Sequence, residues 1–147
     1  MTTHHPAALA GAEHATAVSI PYWEALAEGR FVLQRCTACT RYQHYPRRIC
    51  RHCSSESLEF ASASGTGTVF AATLVHRSNS HRASPSRPYW LAIVRTDEEP
   101  LLFALLSGVP AELDRPDRGS GLQGARVELD WAEIRSTGLL AVHPIQP

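Results

Sequence analysis

The sequence predicts a mainly β protein that begins with a short helix and a cysteine-rich segment. Four cysteines lie within eighteen positions as two C-x-x-C pairs, the first at Cys36 and Cys39 and the second at Cys50 and Cys53. Five β-rich segments follow, and no long helical pattern separates them. Hydrophobic residues make up 44% of the 147-residue chain, which is enough to form a core. These observations predict a small metal-binding element followed by a β domain.

The chain divides into three parts by composition. Residues 1–18 are rich in Ala, Thr and His with little periodicity, so we expect a flexible tail. Residues 19–60 carry the predicted helix and the cysteines, and residues 61–147 form the β domain. No apolar run approaches the ~20 residues needed to span a bilayer, and the N-terminus lacks the pattern of a secretory signal. We therefore expect a cytoplasmic protein, with no membrane association, whose thiols stay reduced.

A short helix is predicted at Pro21–Glu28. Proline is favoured in the first turn of a helix, and glycine is favoured just past its end, where Gly29 stands. The large apolar side chains fall on one face: Tyr22, Trp23 and Leu26. Because a helix this short is marginal alone, it needs a surface to pack on. We expect that surface to be either the barrel of the same chain or a partner protein.

The cysteine pairs have the spacing of a four-thiolate zinc site. Each C-x-x-C turn aims two sulfurs at one ion, and two such turns complete a tetrahedron. The basic residues of the chain are all arginine, and no acidic residue occurs from Phe31 to Ser55, which suits the negative charge of a zinc–tetrathiolate centre. The sequence therefore predicts one structural Zn²⁺, held by Cys36, Cys39, Cys50 and Cys53.

Three other uses of the cysteines compete with a structural zinc site. A redox C-x-x-C belongs with a thioredoxin-like βαβ pattern, which the sequence lacks. Iron–sulfur clusters also take four thiolates, although their usual spacings differ. A catalytic zinc keeps a water position and uses histidine or carboxylate ligands. His44 and His52 are near, but four cysteines already saturate the ion.

The β domain is predicted to be a small barrel. Five short strands in roughly eighty residues fit a closed or partly open barrel, of which the OB-fold is the common five-stranded form. Residues 79–88 and 110–124 are predicted loops, and Asp97–Glu99 is a predicted hairpin turn in solvent. The predicted strands are Thr68–His76, Tyr89–Arg95, Leu101–Ser107, Arg126–Ile134 and Leu139–His143.

In the order of these elements the chain resembles the DUF35 family, acyl-CoA-associated OB-fold proteins with a rubredoxin-like zinc ribbon. Many zinc ribbons share the cysteine element, so the combined order, from about residue 20 to the end, makes the resemblance specific. The residues that carry it are Tyr22-Trp23-Glu24 with Gly29, Leu33-Gln34-Arg35 before Cys36, Tyr45-Pro46-Arg47 before Cys50, Gly65-Thr66-Gly67-Thr68-Val69-Phe70, Thr73-Leu74-Val75-His76-Arg77, and Pro88-Tyr89 before Leu91-Ala92-Ile93-Val94.

The resemblance implies a partner role in a hetero-oligomer. Proteins of this family associate with thiolase-like enzymes, including lipid-transfer-type thiolases that act as aldolases on steroid side-chain CoA thioesters. Others pair with acyltransferases or with hydratases of the hot-dog fold. Such a chain helps to assemble the complex and to shape the acyl-CoA path, and it usually lacks the catalytic nucleophile. In agreement, this sequence has no G-x-S-x-G elbow, P-loop or dinucleotide fingerprint.

Arginine side chains are the candidates for binding CoA, because its phosphates suit a bidentate guanidinium. Arg41, Arg47 and Arg48 come from the cysteine segment, and Arg77 comes from the barrel. An individual arginine of this kind is more often an ordinary surface charge than a phosphate ligand.

Two other classes of function compete with the partner role. Binding of single-stranded nucleic acid would use Tyr42, Tyr45 and Tyr89 as stacking platforms. The pI is near 7.1, and the chain from Thr96 onward has nine acidic residues against four arginines. Both observations argue against nucleic acid as the ligand. A free-standing enzyme would need a general base, for which His76 is the best candidate, although a structural histidine is the commoner role.

Overall fold

The structure is a computed structural model that describes residues 9, 12–76, 88–110 and 119–145. Within those residues the helices are α1 (Ile20–Ala27), α2 (Gly119–Leu122) and α3 (Trp131–Thr137). The strands are β1 (Val32–Cys36), β2 (Tyr42–Gln43), β3 (Leu58–Ser62), β4 (Thr66–Val75), β5 (Tyr89–Thr96), β6 (Leu101–Leu106), β7 (Arg126–Leu129) and β8 (Ala141–Pro144). None of the helices in these ranges is long and apolar enough to cross a bilayer.

The N-terminal helix forms where the sequence predicts it. α1 begins one residue before Pro21, and Gly29 follows its last turn with a φ of +76°, a conformation that L side chains rarely adopt. Tyr22, Ala25 and Leu26 of α1 are buried. The helix therefore lays its apolar face on the rest of the chain.

The described part of the predicted tail is packed. Leu9 and Ala12 are buried in the hydrophobic core. Ser19 is fully buried, and its Oγ accepts the backbone N–H of Thr16 at 2.9 Å. Residues 12–18 thus pack against the core through Ala12 and a turn held by Ser19, and residues 1–8, 10 and 11 of the predicted tail lie outside the described residues.

Three strands form an antiparallel sheet in the order β2-β1-β3. The central strand is β1, in which Gln34 pairs with Gln43 of β2 on one side and with Phe60 of β3 on the other. Four of the five residues of β1 are buried, as a central strand under α1 requires. We call this sheet, with the turns between its strands, the ribbon.

The remaining strands close into a barrel in the order β4-β5-β6-β8-β7. Neighbouring strands are antiparallel except β6 and β8, which pair in parallel. The interior is filled by alternate residues, as in β5, where Trp90, Ala92 and Val94 are buried. A Cβ at Gly67 would lie 2.5 Å from the carbonyl oxygen of Arg95, so the close pairing of β4 and β5 needs glycine there. The predicted mainly β architecture with an OB-fold barrel is confirmed.

The fourth predicted strand is part strand and part helix. β7 ends at Leu129, so the prediction of a strand to Ile134 is wrong. The chain turns at Asp130, whose Oδ1 accepts the backbone N–H of Glu133 at 3.0 Å and caps α3. The Oδ2 atom of Asp130 accepts the hydroxyl of Ser107, beyond the end of β6, at 2.6 Å. The local cap at Asp130 and the left-handed Gly138 bound the helix, and the contact with Ser107 anchors its start to the end of β6.

The two predicted loops are described only in part. Residues 77–87 and 111–118 lie outside the described residues. The second predicted loop, 110–124, ends in α2, which the sequence analysis did not predict. Leu122 of α2 is buried in the core.

The acidic hairpin turn between β5 and β6 forms as predicted. Asp97 accepts hydrogen bonds of 2.6 and 2.8 Å from the guanidinium of Arg126 on β7, and it also accepts the hydroxyl of Thr66. The bonds from Arg126 and then Thr66 lower the pKa of Asp97 to about 2. The turn is therefore tied to the strand that closes the barrel.

Candidate metal centre and its surroundings

Four free thiols converge at one point beside the ribbon sheet. The Sγ atoms of Cys36 and Cys53 are 3.7 Å apart, those of Cys39 and Cys50 are 3.6 Å apart, and all four lie within 4.8 Å of one another. A zinc–sulfur bond of about 2.3 Å gives a tetrahedron with a sulfur–sulfur edge of about 3.8 Å. The four predicted ligands are thus placed to hold one tetrahedral ion.

Two similar turns deliver the thiols in pairs. The backbone N–H of Cys36 donates to the carbonyl of Arg41 at 2.9 Å, and the backbone N–H of Cys50 donates to the carbonyl of Ser55 at 2.8 Å. In each C-x-x-C turn, a backbone hydrogen bond therefore joins the first cysteine to a residue just past the second. In both turns the residue after the second cysteine has a positive φ, of 64° in the first and 62° in the second. These two residues are Thr40 and Ser54.

Backbone amides favour the ionised form of two of the thiols, Cys36 and Cys50, whereas the neighbouring sulfurs raise the pKa of Cys53. The pKa of Cys36 is lowered to about 7, first because the backbone N–H of Cys39 points at its sulfur. The backbone N–H of His52 likewise lies 3.4 Å from the sulfur of Cys50. Thiolates are the form that binds a metal ion, so the turns are preorganised for coordination.

Two buried glutamines tie the second cysteine turn to β1, a feature that the sequence analysis did not anticipate. Nε2 of Gln43 donates to Oε1 of Gln34 at 2.6 Å. Gln34 also accepts the backbone N–H of Arg47 and donates to its carbonyl, both at 2.9 Å. Oε1 of Gln43 accepts the backbone N–H of Arg51 at 2.9 Å. The two glutamines therefore hold the segment that carries Cys50 at Arg47, before the cysteine, and at Arg51, after it.

An aromatic cluster joins α1 to the ribbon. The ring of Tyr22 lies 5.1 Å from Trp23, 5.3 Å from His44 and 6.1 Å from Tyr45, measured between centroids. Nε1 of Trp23 donates to the hydroxyl of Tyr45 at 2.6 Å. Burial raises the pKa of Tyr22 and lowers that of His44 to about 4. The Nδ1 atom of His44 is buried and has no hydrogen-bond partner in the described structure.

The helix face proposed for a partner is largely covered by this chain. Tyr22 and Leu26 are each 2% exposed and belong to the core. Trp23 is half-buried against the same core. Of the three candidate contact residues, Trp23 alone keeps an exposed edge.

The arginines expected to bind CoA lie on the ribbon surface, except Arg77, which is outside the described residues. Arg41, Arg47 and Arg48 are exposed. Nη1 of Arg41 is 3.3 Å from Nδ1 of His52, beside the second cysteine turn. Among the ion pairs of the described residues, none involves these three arginines. Their charge is thus not neutralised by a carboxylate in the described part of the chain.

A cavity of about 300 Å³ lies at the junction of the ribbon and the barrel. Its apolar walls include Phe31, Leu129 and Trp131, and its polar wall includes Ser64 and Glu128. None of the three described candidate arginines lines this cavity.

No hydroxyl in the described residues is hydrogen-bonded to a histidine in the manner of a nucleophile and its base. Ser107, Asp130 and His143 are close in space, but the hydroxyl of Ser107 donates to Asp130 and to the carbonyl of Val142. His76 is exposed just after β4. Among the described residues the geometry therefore offers no serine triad.

Comparison with known proteins finds two matching family descriptions. Residues 23–59 match "ChsH2, rubredoxin-like zinc ribbon domain", and residues 61–132 match "ChsH2, C-terminal OB-fold domain". A probable enoyl-CoA hydratase alpha subunit of Thermomonospora curvata is 34% identical over 114 residues, which is 76% of this chain. The chain spans about a third of that relative's length, 32%.

Two solved structures share the architecture. A chain of a structure described as an Ltp2-ChsH2(DUF35) aldolase is 29% identical, with a TM-score of 0.71, and the match covers 89% of this chain and 97% of that one. A DUF35 protein of unknown function from Sulfolobus solfataricus has a TM-score of 0.60 at 16% identity, covering 90% and 89% of the two chains. The second likeness concerns the fold alone.

Proposed function

Since the chain belongs to the ChsH2 family of the DUF35 proteins, we propose that it is a non-catalytic, zinc-binding subunit that scaffolds a thiolase-like enzyme. In this role it helps to form the partner's acyl-CoA site. The observation that carries the proposal is the combination, in one chain, of a complete four-thiol centre with the barrel seen in the ChsH2 chain of an aldolase.

The metal is proposed to be zinc in a structural role. Cys36, Cys39, Cys50 and Cys53 would hold it, and their sulfur–sulfur distances of 3.6 and 3.7 Å suit zinc–thiolate bonds. Four thiolates would fill the tetrahedron and leave no position for water or substrate, so these residues would hold an ion that cross-links the two turns in a structural role.

The partner is proposed to be an aldolase or another thiolase-like enzyme that acts on a CoA thioester, such as one with a steroid or lipid side chain. Support comes from the solved Ltp2-ChsH2(DUF35) aldolase, one chain of which is matched over 97% of its length. The curated relative named as a probable enoyl-CoA hydratase alpha subunit favours a second candidate, a hydratase partner. In either case the partner brings the catalytic groups.

The absence of a positioned nucleophile in the described residues supports a non-catalytic role. The four cysteines are gathered at the metal centre, and the hydroxyl of Ser107 is committed to Asp130. His76, the candidate general base, stands exposed at the end of β4. Nothing in this arrangement activates a nucleophile beside a pocket.

The contribution to CoA binding is proposed to come from the cationic surface of the ribbon. Arg41, Arg47 and Arg48 are exposed and free of carboxylate partners among the described residues, as phosphate ligands should be. Arg77 remains a further candidate from the barrel.

Reconstitution with a thiolase-like enzyme that co-purifies with this chain from its native host tests the proposal. We expect turnover of a CoA thioester only when both proteins are present. Arg47→Ala should raise KM more than it lowers kcat, because a phosphate contact acts equally on substrate and transition state. Arg30→Ala, an exposed arginine already paired with Glu28, is the matched control. Turnover by this chain alone, abolished by His76→Ala, would reject the scaffold role.

A further inference from the structure

The cavity at the junction of the ribbon and the barrel has no part in the proposed function. Its volume of about 300 Å³ lies at the lower end of the range for small-molecule sites, which is about 300–1,000 Å³. The described arginines that are candidates for binding CoA do not line it, and Glu128 is the only charged residue in its wall. The cavity is therefore a separate candidate site, and its charge is negative.

One side of the cavity is apolar. Phe31 and Leu129 are 6% and 9% exposed and belong to the core, so they form a fixed floor. Trp131, at the start of α3, packs against the same core but is only half-buried. Gly29 adds no side chain to the wall, and a Cβ at that position would have no atom within 4 Å. The wall therefore leaves room for a small apolar group beside the indole.

The carboxylate of Glu128 is available to a ligand. Its side chain is 48% exposed, and its ion-pair partner among the described residues is His143, whose Nε2 lies 3.4 Å from Oε1. That distance is longer than the usual N–H···O hydrogen bond of about 2.7–3.2 Å. Glu128 therefore keeps most of its capacity to accept hydrogen bonds from a bound donor.

A second carboxylate adjoins the same wall. Oε1 of Glu98 accepts the backbone N–H of Ser64, a residue of the wall, at 2.7 Å. Oε2 of Glu98 is buried and accepts no hydrogen bond from the described residues. A carboxylate oxygen that is shielded from water and lacks a donor is unfavourable, and a cation bound nearby would stabilise it.

The arginines next to these wall residues in the chain are already paired. Arg30, which stands between two residues of the wall, donates to Glu28. Arg126, two residues before Glu128 in β7, donates to Asp97 at 2.6 and 2.8 Å. Neither guanidinium is free to neutralise Glu128. An indole ring near an unneutralised carboxylate attracts organic cations, whereas the phosphates of CoA would be repelled.

We propose that the cavity binds an organic cation, which is an ammonium, amidinium or guanidinium group on a small apolar body. The charged group lies at Glu128, and the apolar body lies against Trp131. This site goes beyond the proposed function, which assigns the cavity no ligand. A free amine and an arginine or lysine side chain of a partner offer the same chemistry, so the experiment has to separate these two sources.

Three probes that share one ring and differ in charge test the site: benzamidine, benzamide and benzoate. Each is titrated at pH 7.5 and constant ionic strength into the zinc-loaded full chain, and the backbone and indole N–H signals are followed by NMR. We expect benzamidine to move the indole signal of Trp131 and to bind at least threefold more tightly than benzamide, with benzoate the weakest. That preference should shrink at high salt.

Variants of the wall test the roles of the carboxylate and the ring. Glu128→Gln should lower the affinity for benzamidine to that for benzamide, and Glu56→Gln, at an exposed ribbon glutamate outside the wall, is the matched control. Trp131→Leu should weaken both probes, because both use the ring. A benzamidine preference that survives Glu128→Gln would reject the site. Equal binding of the three probes by the unmodified chain, or no saturable binding, would also reject it.

Competition separates the two sources of the cation. The thiolase-like enzyme that co-purifies with the chain is titrated into it with and without saturating benzamidine. A rise in the Kd of the enzyme, absent in Glu128→Gln, would assign the cation to a side chain of the partner, and an unchanged Kd would assign it to a free amine. Both results keep the site. The scaffold role fails separately, if the enzyme does not bind or does not need this chain for turnover.

Discussion

Gln43 of β2 donates its side-chain N–H to the side-chain oxygen of Gln34, directly across the ribbon sheet, at 2.6 Å. The two side chains are 1% and 4% exposed. Their remaining polar atoms bind the backbone of the segment between Arg47 and Arg51, so the buried amides are satisfied. Because this segment carries Cys50, the glutamine pair positions a metal ligand without touching the metal.

Replacement of Gln43 by alanine should weaken both the fold and the metal site. Gln43→Ala removes the side-chain partners of the Arg51 N–H and the Ile49 carbonyl, while Oε1 of Gln34 keeps only the N–H of Arg47, which should lower the free energy of unfolding by about 1–3 kcal/mol. Zinc affinity should fall about tenfold or more, as for other residues that orient ligands. Urea unfolding and competition with a chromophoric chelator measure the two effects. Gln123→Ala, at an exposed glutamine, is the control.

Zinc should be present at about one ion per chain, and its removal should unfold the ribbon. The ribbon is too small to be held by its own apolar core, so metal binding supplies folding free energy on the order of 10 kcal/mol. Cys50→Ser or a strong chelator should abolish amide protection in β1 and β2. Protection in β5 and β6 should persist, because they pair within the barrel. Elemental analysis that finds iron, or no metal, would contradict the zinc assignment.

The metal centre could be predicted from the sequence because its ligands are local. Each C-x-x-C pair fits within one turn, so the spacing of Cys36 with Cys39 and of Cys50 with Cys53 already describes most of the geometry. The helix α1 could also be predicted from the sequence, because Pro21 and Gly29 mark its ends. Four of the five barrel strands were found by their apolar runs with only small shifts at their ends.

Other features depend partly or wholly on contacts between distant residues. The helix α3 has local signals, because Asp130 is an N-cap residue with Glu133 three positions later and Gly138 follows the last turn. The contact of Asp130 with Ser107, in contrast, is not visible in the sequence. Gln34 stands among buried residues of β1, and only the fold shows that Gln43 lies opposite. The apolar runs of β5 and β6 predict strands, but which of their residues face the barrel interior depends on the pairing of the closed barrel.

The stability of the protein should fall as the pH decreases from about 6.5 towards 4, and His44 should account for part of that loss. Burial lowers the pKa of His44 to about 4, so the unfolded chain takes up a proton first as the pH falls, and folding is penalised progressively. Above about pH 6.5, His44 is neutral in both the folded and the unfolded chain, so its burial no longer reduces the free energy of unfolding.

Unfolding of the wild type and His44→Phe at pH 7.5 and pH 5.5, with zinc in excess, measures this effect. The variant keeps a ring in the aromatic cluster and should lose less stability between the two pH values. His14→Gln, at a histidine whose side chain is 85% exposed, should behave like the wild type. Equal losses in the wild type and His44→Phe would assign the pH dependence to other groups.

The bond between Trp23 and Tyr45 should couple α1 to the ribbon. Nε1 of Trp23 donates to the hydroxyl of Tyr45 at 2.6 Å in a half-buried position, and a hydrogen bond of this kind contributes about 1 kcal/mol. Trp23→Phe and Tyr45→Phe should each lower the free energy of unfolding, and the double variant should lose about 1 kcal/mol less than the sum. Strictly additive losses would mean that the two side chains stabilise the fold independently.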